Sequence, residues 1–337
     1  MPVSSREWHL AARPAGAPKP TDFALVTTQV PDPEPGQVLV RNDWMSVDPY
    51  MRGRMRDRTS YIAPFALDRV MEGSAVGTVV ASRSDAVPVG ARVAHFLGWR
   101  EYARADADAF RVIDTDLGPA PAHLGVLGSP GLTAYIGLTQ IAPVSKGDVV
   151  FVSGAAGAVG TVAGALARLL GAAKVIGSAG GPRKARRLAD ALGYDVGLDY
   201  REGALSAQLA AAAPEGIDVY FDNVGGDHLK AALDVMNDHG RIVLCGAISG
   251  YNDLEPAPGP DNLGLVLNKR LTMRGMYVND HQHLAEQYRR QAADWLKDGF
   301  LRAEQTVTEG FENAVDAFLS MMRGGNTGKT LVALTHP

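Results

Sequence analysis

The chain is 337 residues long, 46% hydrophobic and 21% charged, with a formal net charge of −4, the profile of a globular protein of about two domains. That balance excludes a nucleic-acid binder, which needs a basic domain or face, and a single cysteine excludes both an internal disulfide and a multi-cysteine zinc site. The opening MPVSSREWHLAARPAG lacks the apolar stretch of a secretory signal, so a cytoplasmic location is expected.

From the N-terminus to about residue 127, short β-rich runs are separated by Pro, Gly and Asp clusters such as PDPEPG and AVPVG. EWHLAARP, FALVTTQVP, QVLVRNDWMSV, SAVGTVVASR, ARVAHFLGW and REYARADA together predict a small antiparallel β-barrel or sandwich. Within it, Asp48 followed by Pro49 is good chemistry for starting a helical turn and reads as structural.

From about Ser129 the texture changes. GLTAYIGLTQIA is helical, and strands such as VVFVSG, KVIGSA, VGLDY, GIDVYFDNV and RIVLCGAIS then alternate with Ala/Leu-rich helices. That alternation predicts an α/β doubly wound parallel sheet. Cys245, inside RIVLCGAI, reads as a core residue.

The stretch 146–172 organises this half. Residues 149–153 form a short β-branched and aromatic run, Gly154, Gly157 and Gly160 follow at intervals of three, and an Ala/Leu-rich helical pattern begins at Thr161. Strand, glycine turn and helix is the arrangement that lets backbone amides approach a pyrophosphate at a helix N-terminus. The turn departs from G-x-G-x-x-G, because Ala155 takes the first position of the pattern Ala155, Gly157, Gly160; Ala158 and Val159 complete it. Although 149–167 is uncharged and contains a GxxxG match, its small residues and its β-branched opening suit a buried strand feeding a helix, so no membrane span is predicted. The next strand, 174–178, ends where an NAD site usually carries an acid for the ribose 2′-hydroxyl. The sequence there is SAGGPRKARR: small residues, then Arg183, Lys184, Arg186 and Arg187, which favours a 2′-phosphate over a bare ribose.

Residues 249–264, rich in Pro, Gly and Asp, predict an irregular segment that could serve as a substrate lid. A late strand is expected over 270–278, helices over 287–298 and 312–322, and a last strand over 329–334. The domains predicted are 1–127, completed by 299–337, and 128–298. A substrate pocket is expected between them, with Met51, Tyr61, Phe65, Phe96, Trp99 and Met276 among the available apolar and aromatic residues, each of them more often core than contact.

DWMSVDPYMRGRM, GLTAY, GAAGAVG, FDNVGG, CGAISGYN and GNTGKTLV, in that order, resemble the zinc-independent medium-chain dehydrogenase/reductase family. The resemblance is to the branch of leukotriene hydroxydehydrogenase/prostaglandin reductases, plant double-bond reductases and bacterial curcumin reductases, and it covers essentially the whole chain. It implies a GroES-like substrate domain, a Rossmann domain, NADP(H), and reduction of the carbon–carbon double bond of small-molecule enones and enals. Where zinc relatives keep a cysteine and a His-Glu pair, this chain has SVDPY and MEGSAVG, and neither stretch can assemble a zinc site. His281 and His283 read as turn residues rather than metal ligands.

Two tyrosines suit the chemistry so implied, since a phenol donates a hydrogen bond while neutral at pH 7. Tyr251 matches the family's proposed proton donor, and Tyr50 lies in the substrate domain where zinc relatives hold a ligand. By the same resemblance Lys184 and Tyr200 contact the 2′-phosphate with help from Arg183 and Arg187, and Asn326 meets the cofactor near its nicotinamide half; Asn223, at the C-terminal end of its strand, should meet the cofactor near its ribose or nicotinamide. A homodimer through the sheet edge at 270–278 is likewise implied. An NADPH:quinone reductase is the competing function, and a non-catalytic NADPH-binding protein the third.

Overall fold

A computed structural model describes residues 2–58, 60–255 and 257–334. It divides into two compact units, one made of the described residues up to Leu124 and from Gln305 onward, the other of Gly125–Glu304.

In the first unit β1 (Val3–Leu10) and β2 (Phe23–Val30) form an antiparallel pair with continuous register from Val3 opposite Val30 to Leu10 opposite Phe23. The long β3 (Gln37–Val47) is the centre of a second sheet and is buried on both faces, with Val38, Leu39 and Val40 and then Met45, Ser46 and Val47 all buried. Directly after it comes a single helical turn, α1 (Tyr50–Arg54). Strands β4 (Ala75–Ser82), β5 (Arg92–His95), β6 (Tyr102–Asp106) and β7 (Arg111–Val112) follow.

The second unit alternates strand and helix. Its sheet comprises β8 (Val149–Val152), β9 (Lys174–Ala179), β10 (Val196–Asp199), β11 (Ile217–Asp222), β12 (Met236–Leu244) and β13 (Thr272–Gly275). All pairs are parallel and the order is β10-β9-β8-β11-β12-β13, the doubly wound order in which the chain reverses direction between the first and fourth strands. Helix α2 (Ser129–Ile136) precedes the sheet and continues into one π-helical turn over Gly137–Ile141. Between strands lie α3 (Ala158–Leu169), α4 (Pro182–Ala191), α5 (Leu205–Ala212), α6 (Gly226–Val235) and α7 (Gly264–Asn268), and α8 (Ala285–Lys297) comes last. Phe151, Ile176, Ile217, Tyr220 and Ile242, fully buried, form the core under α5 and α6.

The chain then completes the first unit with β14 (Gln305–Glu309), α9 (Ala314–Met322) and β15 (Lys329–Ala333). The resulting sheet runs β14-β15-β3-β4-β5-β7, with β6 also on β3; it is antiparallel except for the parallel pair β14 and β15. Helix α9 buries Phe318 among Met45, Met51, Trp99 and Phe23.

The α/β class with a doubly wound parallel sheet and a separate β-rich unit is as expected, but several details differ. Strand β12 begins at Met236 inside the turn-like MNDHG, where pairing with Ile217 overrides composition, and it stops at Leu244. Cys245 therefore lies just beyond the strand, and the residue is partly exposed although its thiol is buried. The late strand is four residues long, not nine. Of the segment 249–264, Pro256 lies outside the described residues; beyond a 3₁₀ turn that ends at Gly250, the rest has no regular element until α7. Met51, Phe65 and Trp99 are core residues, whereas Phe96 and Tyr61 are exposed.

Candidate active site

Reversal of chain direction between β8 and β11 leaves a crevice at their C-terminal ends, where ligands of open α/β sheets collect. Two loops meet there. The first is the glycine turn. Gly154 has φ +60, a conformation costly for any other residue, and Gly157 closes the turn by donating its N–H to the Gly154 carbonyl at 2.9 Å. Gly157 then flanks α3 with no side-chain cap, so the first-turn amides of Ala158, Val159 and Gly160 face outward from the helix end. A Cβ at Gly160 would lie 2.5 Å from the Gly154 oxygen and 2.6 Å from Ala155 Cα, so this glycine is there for close packing. Gly154, Gly157, Ala158 and Val159 are partly exposed, whereas Ala155 and Gly160 are buried against the protein.

The second loop follows β11, and a buried carboxylate ties it to the first. Asp222, 1% exposed, accepts at Oδ1 from Ser153 Oγ (3.0 Å), Tyr220 OH (2.7 Å), Val224 N–H (2.9 Å) and Gly225 N–H (2.8 Å). Ser153 Oγ in turn accepts the Asn223 N–H at 2.9 Å, and Asn223 Nδ2 donates to the Ser153 carbonyl at 2.7 Å. Asn223 thus uses its amide nitrogen to clamp β8 and does not commit its Oδ1 to that clamp. The other Asp222 oxygen, Oδ2, is buried without a partner among the described residues. Neither Ser153 nor Asp222 is among the residues expected from sequence. The available signal was a polar residue closing each of two buried apolar strands.

Tyr251 follows a short 3₁₀ turn, Ile248–Gly250, that folds the chain back beyond β12. Its hydroxyl accepts the Ala247 N–H at 3.4 Å, and burial raises its pKa against the lowering effect of that bond. Cys245 and the Asp222 charge push in the same direction. Burial, with Asp222 nearby, also lifts the Cys245 thiol to about 12.

Beyond the C-terminal end of β9, Lys184 sits half-buried in the first turn of α4. Burial first, then the charges of Arg201 and Arg183, hold it below the ordinary lysine value. Tyr200 is 39% exposed, with its ring 5.0 Å from that of His228. Arg187 is drawn away into an ion pair with Glu304 at 2.6 Å, so the four-residue basic run does not act as one patch.

The remaining candidates belong to the first unit. Tyr50 begins α1, stacks on Phe96 (centroids 6.5 Å apart, 18° between planes), and has a buried hydroxyl with no partner among the described residues. Burial first, then Asp48, raises its pKa well above the usual phenol value. Asp48 does not cap α1; it accepts from Ser46 and is paired with Lys329, which is 2% exposed and also donates to the Val47 carbonyl at 2.9 Å. Asn326 is half-buried in the turn before β15, its Nδ2 donating to the Gly328 carbonyl at 2.9 Å. Among the described residues no group of three or more His, Cys, Asp or Glu could hold a metal ion, and no helix is long and apolar enough to cross a membrane.

Two family models match the chain, one described as the N-terminal domain of oxidoreductase over residues 6–113, the other as zinc-binding dehydrogenase over 158–298. The chain is 40% identical to the NADPH-dependent curcumin reductase of Escherichia coli, over 97% of this chain and 96% of the relative. It is 38% identical to the NADP(+)-dependent 2-alkenal reductase of Nicotiana tabacum, over 99% and 98%. Among solved structures it is similar to CurA from Vibrio vulnificus in complex with NADPH, with a TM-score of 0.93, 38% identity, and coverage of 98% of this chain and 100% of that one.

Proposed function

The chain belongs to the medium-chain dehydrogenase/reductase family, and we propose that it is an NADPH-dependent reductase of the carbon–carbon double bond of α,β-unsaturated ketones and aldehydes. The observation that carries this reading is likeness along almost the whole chain to an NADPH-dependent curcumin reductase and a 2-alkenal reductase. The residues present fit the cofactor: a glycine turn that a Cβ would fill, outward amides at the start of α3, and lysine and arginine instead of an acid beyond β9.

Bound there, NADPH supplies a hydride for the β-carbon of the substrate. The chain's own task is to meet the negative charge that develops on the carbonyl oxygen and to give the α-carbon a proton. Tyr251 is the proton donor in this reading, since burial keeps its hydroxyl protonated through neutral pH. Tyr50 donates a hydrogen bond to the carbonyl oxygen. Gly154, Gly157, Ala158 and Val159 cradle the pyrophosphate, with Ala155 and Gly160 shaping the turn from beneath; Lys184 and Tyr200 hold the 2′-phosphate, and Asn223 and Asn326 the nicotinamide half. Zinc has no part in the reaction proposed: Asp48 accepts from Ser46 and is paired with Lys329. A cytoplasmic homodimer completes the reading, and the backbone at the mostly exposed strand β13 is the edge on which a second copy would pair.

NADPH consumption with trans-2-alkenals, an alkenone and a diarylheptanoid, beside a simple quinone and with NADH as control, tests the proposal. Saturated carbonyl products identified by mass are expected. Turnover of the quinone alone would replace it with a quinone reductase, and tight NADPH binding without turnover would leave only a binding protein. Lys184→Ala should raise KM for NADPH far more than for NADH; equal effects would remove Lys184 from the 2′-phosphate site.

A further inference from the structure

The C-terminal end of the strand after the glycine turn is where an NAD-binding Rossmann domain presents an acid to the ribose. Here β9 ends at Ala179 and runs into Gly180 and Gly181, the latter at φ +94 on the flank of α4. Gly180 is covered from the side. A Cβ placed on it would meet Tyr200 OH at 2.8 Å and Arg201 Nε at 3.1 Å, so both side chains from the loop after β10 lie across this position. The Arg201 guanidinium carbon sits 5.7 Å from the centre of the Tyr200 ring.

This placement is built into the fold. Asp199 pairs with Ala179 across the two strands, is 5% exposed, and spends Oδ1 on two backbone donors: Gly181 N–H at 2.8 Å and Arg201 N–H at 3.0 Å. One carboxylate thereby fixes the loop carrying Arg201 against the turn that opens α4. Arg201 forms no ion pair among the described residues, unlike Arg187. It also stands close enough to Lys184 to be felt by it more than Arg183 is. Like charges held together repel, and a doubly charged anion is what such a cluster accommodates.

We propose that Arg201, rather than Arg183 or Arg187, is the second cation of the 2′-phosphate clamp, acting beside Lys184 and Tyr200, and that it sets the preference for NADPH over NADH. The proposal rests on the reading that the second unit takes NADPH. It makes the short LDYR run, and not the basic start of α4 alone, the determinant of cofactor choice. It also assigns Asp199 to positioning, since Asp199 holds the backbone of Arg201 without needing to touch the ligand.

Calorimetric titration of the whole protein with adenosine 2′,5′-bisphosphate and with 5′-AMP tests this without turnover. Arg201→Ala should weaken the bisphosphate about tenfold or more, the loss of one charge-assisted contact, and leave 5′-AMP within about twofold. Arg201→Lys should recover part of the loss, and Arg183→Ala should stay within about twofold for both ligands, as an exposed charge does. Unchanged bisphosphate affinity in Arg201→Ala overturns the proposal, and so does equal weakening of both ligands, which would mark a structural role. A wild-type protein that binds the two ligands equally would instead overturn the NADPH reading on which the proposal stands.

Discussion

Asp222→Ala is the most informative single change in the second unit. Oδ1 collects four donors at 2.7–3.0 Å in a place where Asp222 is 1% exposed. Each hydrogen bond to a charged acceptor contributes about 1.5–3 kcal/mol net, but donors sharing one oxygen are not additive, and alanine also removes a buried charge whose second oxygen has no partner among the described residues. Those offsets leave an expected loss of roughly 3–5 kcal/mol, which lowers Tm by about 10 °C in a unit of this size. Asp222→Asn separates charge from acceptor, because its carbonyl can still take the donors; it should lose less than half as much. Thermal unfolding followed by near-ultraviolet dichroism gives both numbers, and NADPH fluorescence titration shows whether the glycine turn loosens with the knot, as the Ser153 and Asn223 bonds require. An alanine variant melting within about 2 °C of wild type would refute this account of the network.

Two further outcomes follow from the same geometry. Tyr251→Phe should cut kcat by about a hundredfold or more with NADPH affinity unchanged, and since burial raises the Tyr251 pKa above its usual value, the wild-type kcat should not fall from tyrosine ionisation until above pH 10; an alkaline limb beginning near pH 8 would exclude Tyr251 as donor. Lys329→Met strands Asp48 and should cost about 3–5 kcal/mol in urea unfolding, most of it regained in Lys329→Met with Asp48→Asn; no regain would mean that the pair contributes nothing as a pair.

The doubly wound sheet was legible because each of its strands is a short apolar run closed by small or turn-forming residues, and because three spaced glycines mark the turn to α3. Three features escaped for identifiable reasons. Strand β14, QTVTE, has a half-exposed pattern and exists through its parallel pairing with β15, a contact no local window contains. Strand β12 starts at Met236, ahead of Asn, Asp, His and Gly, because β11 pairs with it there, Ile217 opposite Met236; β13 joins only from Arg241, and the pairing on both sides stops at Leu244, just before Cys245. Lys329 and Asp48 are 281 residues apart, so their pairing, and with it the reason Asp48 is fixed, is invisible to spacing. Ser153 and Asp222 were readable in principle: a polar residue that ends a buried strand must be satisfied, and two such ends side by side satisfy each other.

Both tyrosines were candidates in the sequence, and their surroundings separate them. Both hydroxyls have pKa values raised chiefly by burial, so both carry their protons at neutral pH. Tyr251 receives the Ala247 N–H, whereas the Tyr50 hydroxyl is buried without a partner among the described residues. A buried donor left unmade costs about 1–3 kcal/mol, and its ring alone, stacked on Phe96, would pack as well without the oxygen. Tyr50→Phe should therefore stabilise the protein by about 1 kcal/mol while lowering kcat/KM for the enone, the opposed signs expected where fold stability is exchanged for a donor that an oxyanion would use. Denaturant unfolding and steady-state kinetics on the same preparation decide it. A variant that loses stability shows the hydroxyl to be a structural group, and one that gains stability with unchanged kcat/KM leaves Tyr50 outside the reaction.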